Sequence, residues 1–244
     1  MSMRAASITA LFIVTMISTT SAQIGFSKFS IGYSNWTRSY GGFNEAIFFS
    51  TTYRPVENFV KKSWMPTVSA EISLLKDFTS FKTDWIGLEG RLGQAKFEFV
   101  NDIDFDGTRV VETISQRVVP ASVNLVYHAE VAPWFSIYGG TGMNSYLIQE
   151  TAGRSVSAGE GAVEPRESSG NVFGWTYHGG IEIWIVPNFG LGLETRQNFG
   201  SYTKSKFALD GTKEKISVDL KGIEVGFSLR YRLNAPKASS EKAE

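Results

Sequence analysis

Apolar and polar residues alternate at every second position through most of the chain, and no stretch repeats with helical periodicity. Near the C-terminus Ile223, Val225, Phe227, Leu229, Tyr231 and Leu233 share one face, while Glu224, Gly226, Ser228, Arg230 and Arg232 share the other. Val123, Leu125, Tyr127, Ala129 and Val131 oppose Ser122, Asn124, Val126, His128 and Glu130 in the same way, as Phe29, Ile31 and Tyr33 oppose Lys28, Ser30, Gly32 and Ser34. The alternation predicts strands at 26–36, 44–54, 66–75, 83–92, 95–105, 118–131, 134–149, 172–186, 190–201 and 217–233. Gly93-Gln94, Ala132-Pro133 and residues 186–190 read as tight turns, whereas 76–82, 106–117, 150–171 and 202–216 are longer and polar. Short and long connections alternate, as they do where an up-and-down sheet has tight turns at one end and free loops at the other. The connections 36–43 and 54–66 fit this scheme poorly.

The polar face decides which side is wet. By parity it collects Lys28, Glu71, Glu89, Arg91, Lys96, Glu98, His128, Glu130, His178, Glu182, Glu194, Arg196, Glu224, Arg230 and Arg232, with the signs nearly balanced. A soluble exterior has no need of that balance, because exposed pairs contribute only ~0–1 kcal/mol. A narrow lumen does need it, because a buried charge without a partner costs several kcal/mol. The expected architecture is a closed antiparallel up-and-down transmembrane β-barrel of about 10 strands (roughly 8–12), apolar toward lipid, with an ion-pair network inside.

Aromatic residues add two belts. Tyr53, Trp64, Trp134, Phe135, Trp184, Phe189 and Tyr231 fall near the short-turn ends, and Tyr33, Trp36, Tyr146, Trp175, Phe199 and Tyr202 near the long-loop ends. Rings with one apolar side and one polar tip favour membrane interfaces. Strict parity turns Trp134 and Trp184 inward, against the belt.

The bulk numbers remove other classes. Of 244 residues, 24 are basic and 24 acidic, so there is no surplus of positive charge for a nucleic-acid partner. The absence of cysteine excludes disulfides, thiolate metal sites and a lipid-modified N-terminal cysteine. Residues 1–22 read as a signal peptide, with one arginine, an apolar run from Ala5 to Ile17, and Thr20 and Ala22 at cleavage-site positions. Residues 23–233 form the expected barrel, and 234–244, small, polar and charged, a disordered tail.

Three segments carry a family resemblance: "APWFSIYGGTGMNSY", "GWTYHGGIEIWIVPNFGLGLETRQNFGS" and "LKGIEVGFSLRYRL". Over the last half of the mature chain the pattern resembles the small outer-membrane β-barrel proteins of Gram-negative bacteria, the OmpA-type barrels and opacity-type surface antigens. The resemblance implies export to the bacterial outer membrane, termini in the periplasm and variable loops outside. It also implies that the last strand is a signal read by the outer-membrane assembly machinery, carried here by Glu224, Gly226, Leu229, Tyr231 and Leu233. The chain departs from the family by ending that strand on Leu233 rather than on a terminal aromatic residue.

Two motifs invite chemistry. Asp102, Asp104 and Asp106, followed by Gly107, begin like a calcium loop, but the twelfth position is Thr113 and the flanks are strands. A protruding hairpin is the stronger reading, since Asp106-Gly107 is a tight-turn signal, with a weak external cation site as the alternative. His128 and His178 share faces with Ser122, Glu130, Thr176 and Glu182, yet nothing in the sequence fixes a catalytic geometry, and a lumen histidine bonded to a glutamate is the commoner outcome.

The expectation is therefore a monomer without cofactor and without catalysis, with a structural or surface-exposed role such as membrane integrity, adhesion or surface interaction through its outer loops. Its partners would be outer-membrane lipid, lipopolysaccharide, the assembly machinery and an extracellular ligand, but no nucleic acid. The alternatives are a small transport pore, a barrel-embedded hydrolase acting on lipid or peptide, and an exported soluble barrel.

Overall fold

The computed structural model describes residues 25–39, 60–76, 84–105, 107–157, 162–207 and 213–233. Ten strands occupy them: β1 (Gly25–Ser39), β2 (Val60–Lys76), β3 (Asp84–Gly93), β4 (Ala95–Phe105), β5 (Thr108–Ala132), β6 (Phe135–Val156), β7 (Val163–Val186), β8 (Phe189–Phe207), β9 (Lys213–Asp219) and β10 (Gly222–Arg232). The expected strand 44–54, the signal peptide 1–22 and the tail 234–244 lie outside the described residues. β10 pairs with β8 on one side and with β1 on the other, so the antiparallel sheet closes on itself.

The wall of the ring is made by β1, β2, β3, β5, β6, β7, β8 and β10, while the other two strands extend it lengthwise. β4 continues β3 along the same partner, since β3 lies against residues 121–129 of β5 and β4 against 108–118. β9 leads into β10 along β8 in the same manner.

Gly93-Gln94 is thus not a turn, which corrects the sequence reading. Pro66 on β2 has no N–H to continue the ladder, so the β2–β3 pairing stops at Thr67 and Gly93, and the Pro66 carbonyl accepts the Gln94 N–H at 3.3 Å. A Cβ at Gly93 would lie 2.7 Å from Met65 Sδ. The chain runs straight through this irregularity, and odd-numbered residues point inward on both sides of it: Glu89 and Arg91, then Ala95, Phe97 and Phe99.

Sidedness is inverted relative to a water-soluble fold. Ile31, Leu125, Ile137, Leu193, Val225 and Phe227 are exposed on the outside, while glutamates and arginines are buried within. Closure gives the first and last strands of the ring a partner on both sides, which is what hydrocarbon requires of a spanning sheet. Trp134, Phe189 and Tyr231 are exposed toward the end that carries both termini and the turns after β5 and β7. Tyr33, Trp64 and Trp175 are exposed toward the opposite end, with the Tyr33 and Trp64 rings 6.1 Å apart. Trp64 changes belt relative to expectation because β2 starts at that far end. Trp36, Tyr146 and Trp184 are buried inside the barrel, and Tyr53 lies outside the described residues.

β5, β6 and β7 contain 25, 22 and 24 residues, at least twice the ~9–11 that cross a bilayer. Much of 106–117, 150–171 and 202–216, expected as loops, is strand. Gly107, with φ at +79°, closes the β4–β5 hairpin. In these extensions the faces exchange character. Outward positions become Ser115, Arg117, Gln149 and Ser169, while inward ones include Ile114, Val118 and Ile148. The outside of the barrel passes from lipid to water along each of these strands, and the residues follow.

Gly174 and Gly200 pair across β7 and β8 beneath the buried Tyr146 ring. A Cβ at Gly174 would come within 2.7 Å of that ring, whereas one at Gly170 meets nothing within 4 Å. Gly174→Val should therefore destabilise the barrel by about 1–3 kcal/mol, and Gly170→Val should leave it unchanged. Loss of the heat-modifiable band on gels, for the first variant only, checks this.

Candidate functional site

The lumen is the part of the molecule where polar chemistry is concentrated, and it is layered. At the terminus-bearing rim Arg232 bonds Glu130 at 2.8 Å and lies over the Trp184 ring at 3.7 Å, and the Trp184 indole N–H donates to Ser136 at 3.1 Å.

Above the rim is a dense ionic layer. Lys28 bonds Glu182 at 2.6 Å and Glu71 at 3.0 Å, and the Glu182 oxygen that Lys28 bonds is also held by Arg230. His128 Nε2 lies 2.9 Å from Glu71, and the Trp85 indole N–H donates to the other oxygen of that carboxylate at 3.0 Å. The His128 ring is stacked on Trp85 at 4.5 Å and on Tyr138 at 5.4 Å. Farther up, Arg196 joins Glu194 and Glu89 at 3.1 Å each, Asn124 donates to Glu89 at 3.0 Å, and Arg91 bonds Glu224 at 2.8 Å.

Together these side chains come from all eight strands of the ring, so the network crosses the lumen rather than running along one wall. Five glutamates, Glu71, Glu89, Glu182, Glu194 and Glu224, share four permanent cations, Lys28, Arg91, Arg196 and Arg230, and His128 supplies a further partner. Ion pairs this deep are sustained by shared partners, as where Glu71 meets Lys28, His128 and Trp85 and Arg196 meets Glu89 and Glu194.

Beyond the ionic layer the interior is apolar. Trp36, Met65, Phe97, Phe99, Val118, Tyr146 and Leu220 form one buried cluster. The Arg38 guanidinium lies 4.9 Å from the Phe97 ring and donates to the Asp219 carbonyl at 3.0 Å. A smaller polar group caps this cluster: Gln116 and Tyr202 donate to Glu150 at 2.6 and 2.9 Å, Lys204 pairs with Glu150, and Arg154 lies 3.3 Å from Glu112.

The sequence-derived lumen set divides accordingly. Glu71, Glu89, Arg91, His128, Glu182, Arg196, Glu224 and Arg230 lie in the ionic layer, Glu194 bonds Tyr138 and Arg196 there, and Glu130 and Arg232 occupy the rim. His178 is buried beside Tyr138, with its ring nitrogens free of hydrogen-bond partners among the described residues. Lys96 and Glu98 are corrections. Both are exposed on the outer wall, because the inward parity of β3 passes unreversed into β4 and gives Phe97 and Phe99 the inner positions. Tyr138 and Trp85 were absent from the set, and for Lys28, which the alternation already turns inward, only closure of the ring reveals the partners.

Of the residues proposed for an assembly signal, Glu224 and Gly226 face the lumen and Leu229, Tyr231 and Leu233 face outward. Asp102 is exposed on the β4–β5 hairpin, where Arg109 donates to its two oxygens at 2.9 and 2.6 Å and holds the carboxyl below its usual range through those hydrogen bonds. The side chains of Asp104 and Asp106 lie outside the described residues. Among the described residues no cluster of histidine and carboxylates fits a metal ion. Chemically, His128 is committed to Glu71 and Lys28, and Ser122 accepts from Asn124.

A family model described as "Outer membrane protein beta-barrel domain" matches residues 8–234. The fold is similar to the outer membrane protein OprG from Pseudomonas aeruginosa, with 13% identity, a TM-score of 0.53, and coverage of 86% of this chain and 97% of that one. It is also similar to the outer membrane protease OmpT from Escherichia coli, with 10% identity, a TM-score of 0.51, and coverage of 88% and 99%. Neisserial surface protein A aligns at 11% identity over 85% and 99% of the two chains, with a TM-score of 0.47. No curated protein matches.

Glu182 is fully buried between Lys28 and Arg230. Glu182→Ala should cost about 3–5 kcal/mol, the usual consequence of leaving buried charges without their partner. Asp102→Ala, on an exposed hairpin, should leave the unfolding midpoint in place. Denaturant unfolding of the two variants in lipid vesicles, followed by tryptophan fluorescence, compares them.

Proposed function

Since this chain belongs to the outer membrane protein β-barrel domain family, we propose that it serves as a non-conducting scaffold of the bacterial outer membrane that carries a rigid, strand-built surface beyond the bilayer. The observation that carries this reading is the doubly sealed lumen. An ionic layer and then an apolar cluster cross the interior of a ring only eight strands around, a size at which side chains fill the space. Neither layer offers ions a wet path: the first binds its charges to one another, and the second is packed with rings around the buried Arg38.

Above the bilayer, β4 to β9 form a sheet packed on that apolar cluster. Its outward rows hold Ser115, Gln149, Thr151 and Ser169, a hydrated surface suited to adhesion or other contacts outside the cell. A strand-built platform loses less conformational entropy on binding than free loops do. His128, fully buried and engaged by Glu71, favours a structural role over hydrolysis. The last strand, with Glu224 and Gly226 inward and Leu229, Tyr231 and Leu233 outward, is the segment we assign to recognition by the assembly machinery.

Two measurements test the proposal. In planar bilayers the purified barrel should show no steady single-channel openings; regular openings abolished by Arg230→Ala would establish the pore instead. The chain has no cysteine of its own, so single cysteines report accessibility cleanly. In intact cells a membrane-impermeant maleimide should label Ser115→Cys on the extended sheet and should fail to label Pro187→Cys in the turn at the terminus-bearing end.

A further inference from the structure

The outer wall is not evenly covered by side chains. Around β2, β3, β5 and β6 the outward residues of one region are small: Ala70 pairs with Gly90 and Ala121 with Ser145, the two pairs offset by two residues because Gly90 lies opposite Val123 and Ala121 opposite Leu92. They form the floor of a groove of about 700 Å³ that opens to the outside and is bounded by apolar residues including Leu92, Val123, Met143 and Phe173. A Cβ at Gly90 would meet nothing within 4 Å, so the floor is open there. From β2 to β7 the groove spans five neighbouring strands of the ring, roughly 19 Å at about 4.8 Å per spacing. That width takes acyl chains lying side by side.

Two cations stand on the outer wall beyond the end of this groove farther from the termini. Lys96 on β4 and Arg117 on β5 face each other directly across the ladder, both outward and both exposed. Each stands four residues beyond a groove residue on its own line of chain, Leu92 and Ala121, or roughly 13 Å at about 3.3 Å per residue. Like charges directly opposite in a sheet are unfavourable unless something neutralises them. Arg117 donates to the neutral Gln94 side chain at 2.7 Å, and among the described residues neither cation forms an ion pair with a carboxylate, although Glu98 lies on the same outer row as Lys96. This is also the height at which the outer wall changes from apolar to polar, where lipid headgroups lie.

We propose that the groove and the two cations beyond it bind one multiply acylated, phosphorylated lipid of the lipopolysaccharide type, with acyl chains across Gly90 and Ala121 and phosphates at Lys96 and Arg117. An arginine and a lysine side by side suit phosphate oxygens, the arginine through its two-pronged donor geometry and the lysine as a point charge. The breadth of the groove favours several chains over the two of a glycerophospholipid. The site rests on membership in a membrane-spanning family and is independent of whether the lumen conducts.

The test uses the refolded, delipidated full barrel in detergent and native mass spectrometry, with three probes: diphosphoryl lipid A, its dephosphorylated form, and phosphatidylglycerol. Diphosphoryl lipid A should remain bound at about one per barrel. The dephosphorylated form and phosphatidylglycerol should be retained about tenfold less, the expected effect of losing one charge-assisted contact. Lys96→Gln with Arg117→Gln, and separately Gly90→Leu, should lower lipid A retention by about the same factor while the heat-modifiable fold persists. Equal retention of all three lipids by the wild-type chain, which requires no variant to fold, would overturn the assignment. So would unchanged retention in both variants, or a dimer in place of a lipid adduct.

Discussion

A backbone amide or carbonyl left unpaired in hydrocarbon costs several kcal/mol, and the ladder joining Lys28–Arg38 of β1 to Gly222–Arg232 of β10 removes the only two edges that the ring would otherwise expose. The remaining design follows from that closure. Joining first strand to last fixes the circumference, the circumference fixes a lumen about as wide as its own side chains, and a lumen that narrow cannot hold hydrated charges separately. Lys28, Glu182 and Arg230 therefore meet across the axis although they are far apart in the chain. Small residues on β1, β2 and β10, such as Ser30, Ser69 and Ser228, provide the space in which the long side chains of the opposite strands lie.

The interior responds to what surrounds the barrel. Within the apolar band the outside is lipid, so β5 turns Val123 and Leu125 outward and keeps Asn124 and His128 inside. A few residues on, the outside is water, and the same strand turns Ser115 and Arg117 outward and buries Ile114 and Val118. Period two never changes, yet the chemistry of the two faces exchanges. Ionic layer below and apolar cluster above are thus two answers to one requirement, that whatever lies inside must contrast with the solvent outside.

This exchange has functional weight. Burying Trp36, Phe97, Phe99 and Tyr146 inside the protruding part lets the sheet stand above the membrane without help from lipid. It also fills the interior above the ionic layer with rings. The boundary between the two regimes is marked on the outer wall by the groove around Gly90 and Ala121 and the cations beyond it, so the headgroup region coincides with the height at which the interior changes from charge to ring.

What the sequence by itself determined was the class of fold and the sorting of residues to two faces, because alternation is a property of each strand alone. Glu182 and Arg230 stand apart from Ile181 and Leu229 on any reading of their strands, and the tight turns after β5 and β7 are local backbone chemistry. The partners of those charges were not legible, since Lys28 lies 154 residues from Glu182 and reaches it only through a closed ring. Lys96 and Glu98 were placed on the wrong face for two physical reasons. A glycine followed by a polar residue resembles a turn whether or not the chain reverses, and only Pro66 on the neighbouring strand made Gly93-Gln94 an irregularity within a continuous run. The rule that apolar residues face outward also holds only where the solvent is lipid. A sequence states which residues lie opposite one another on a strand; where along that strand lipid gives way to water is decided by the height at which the assembled barrel sits.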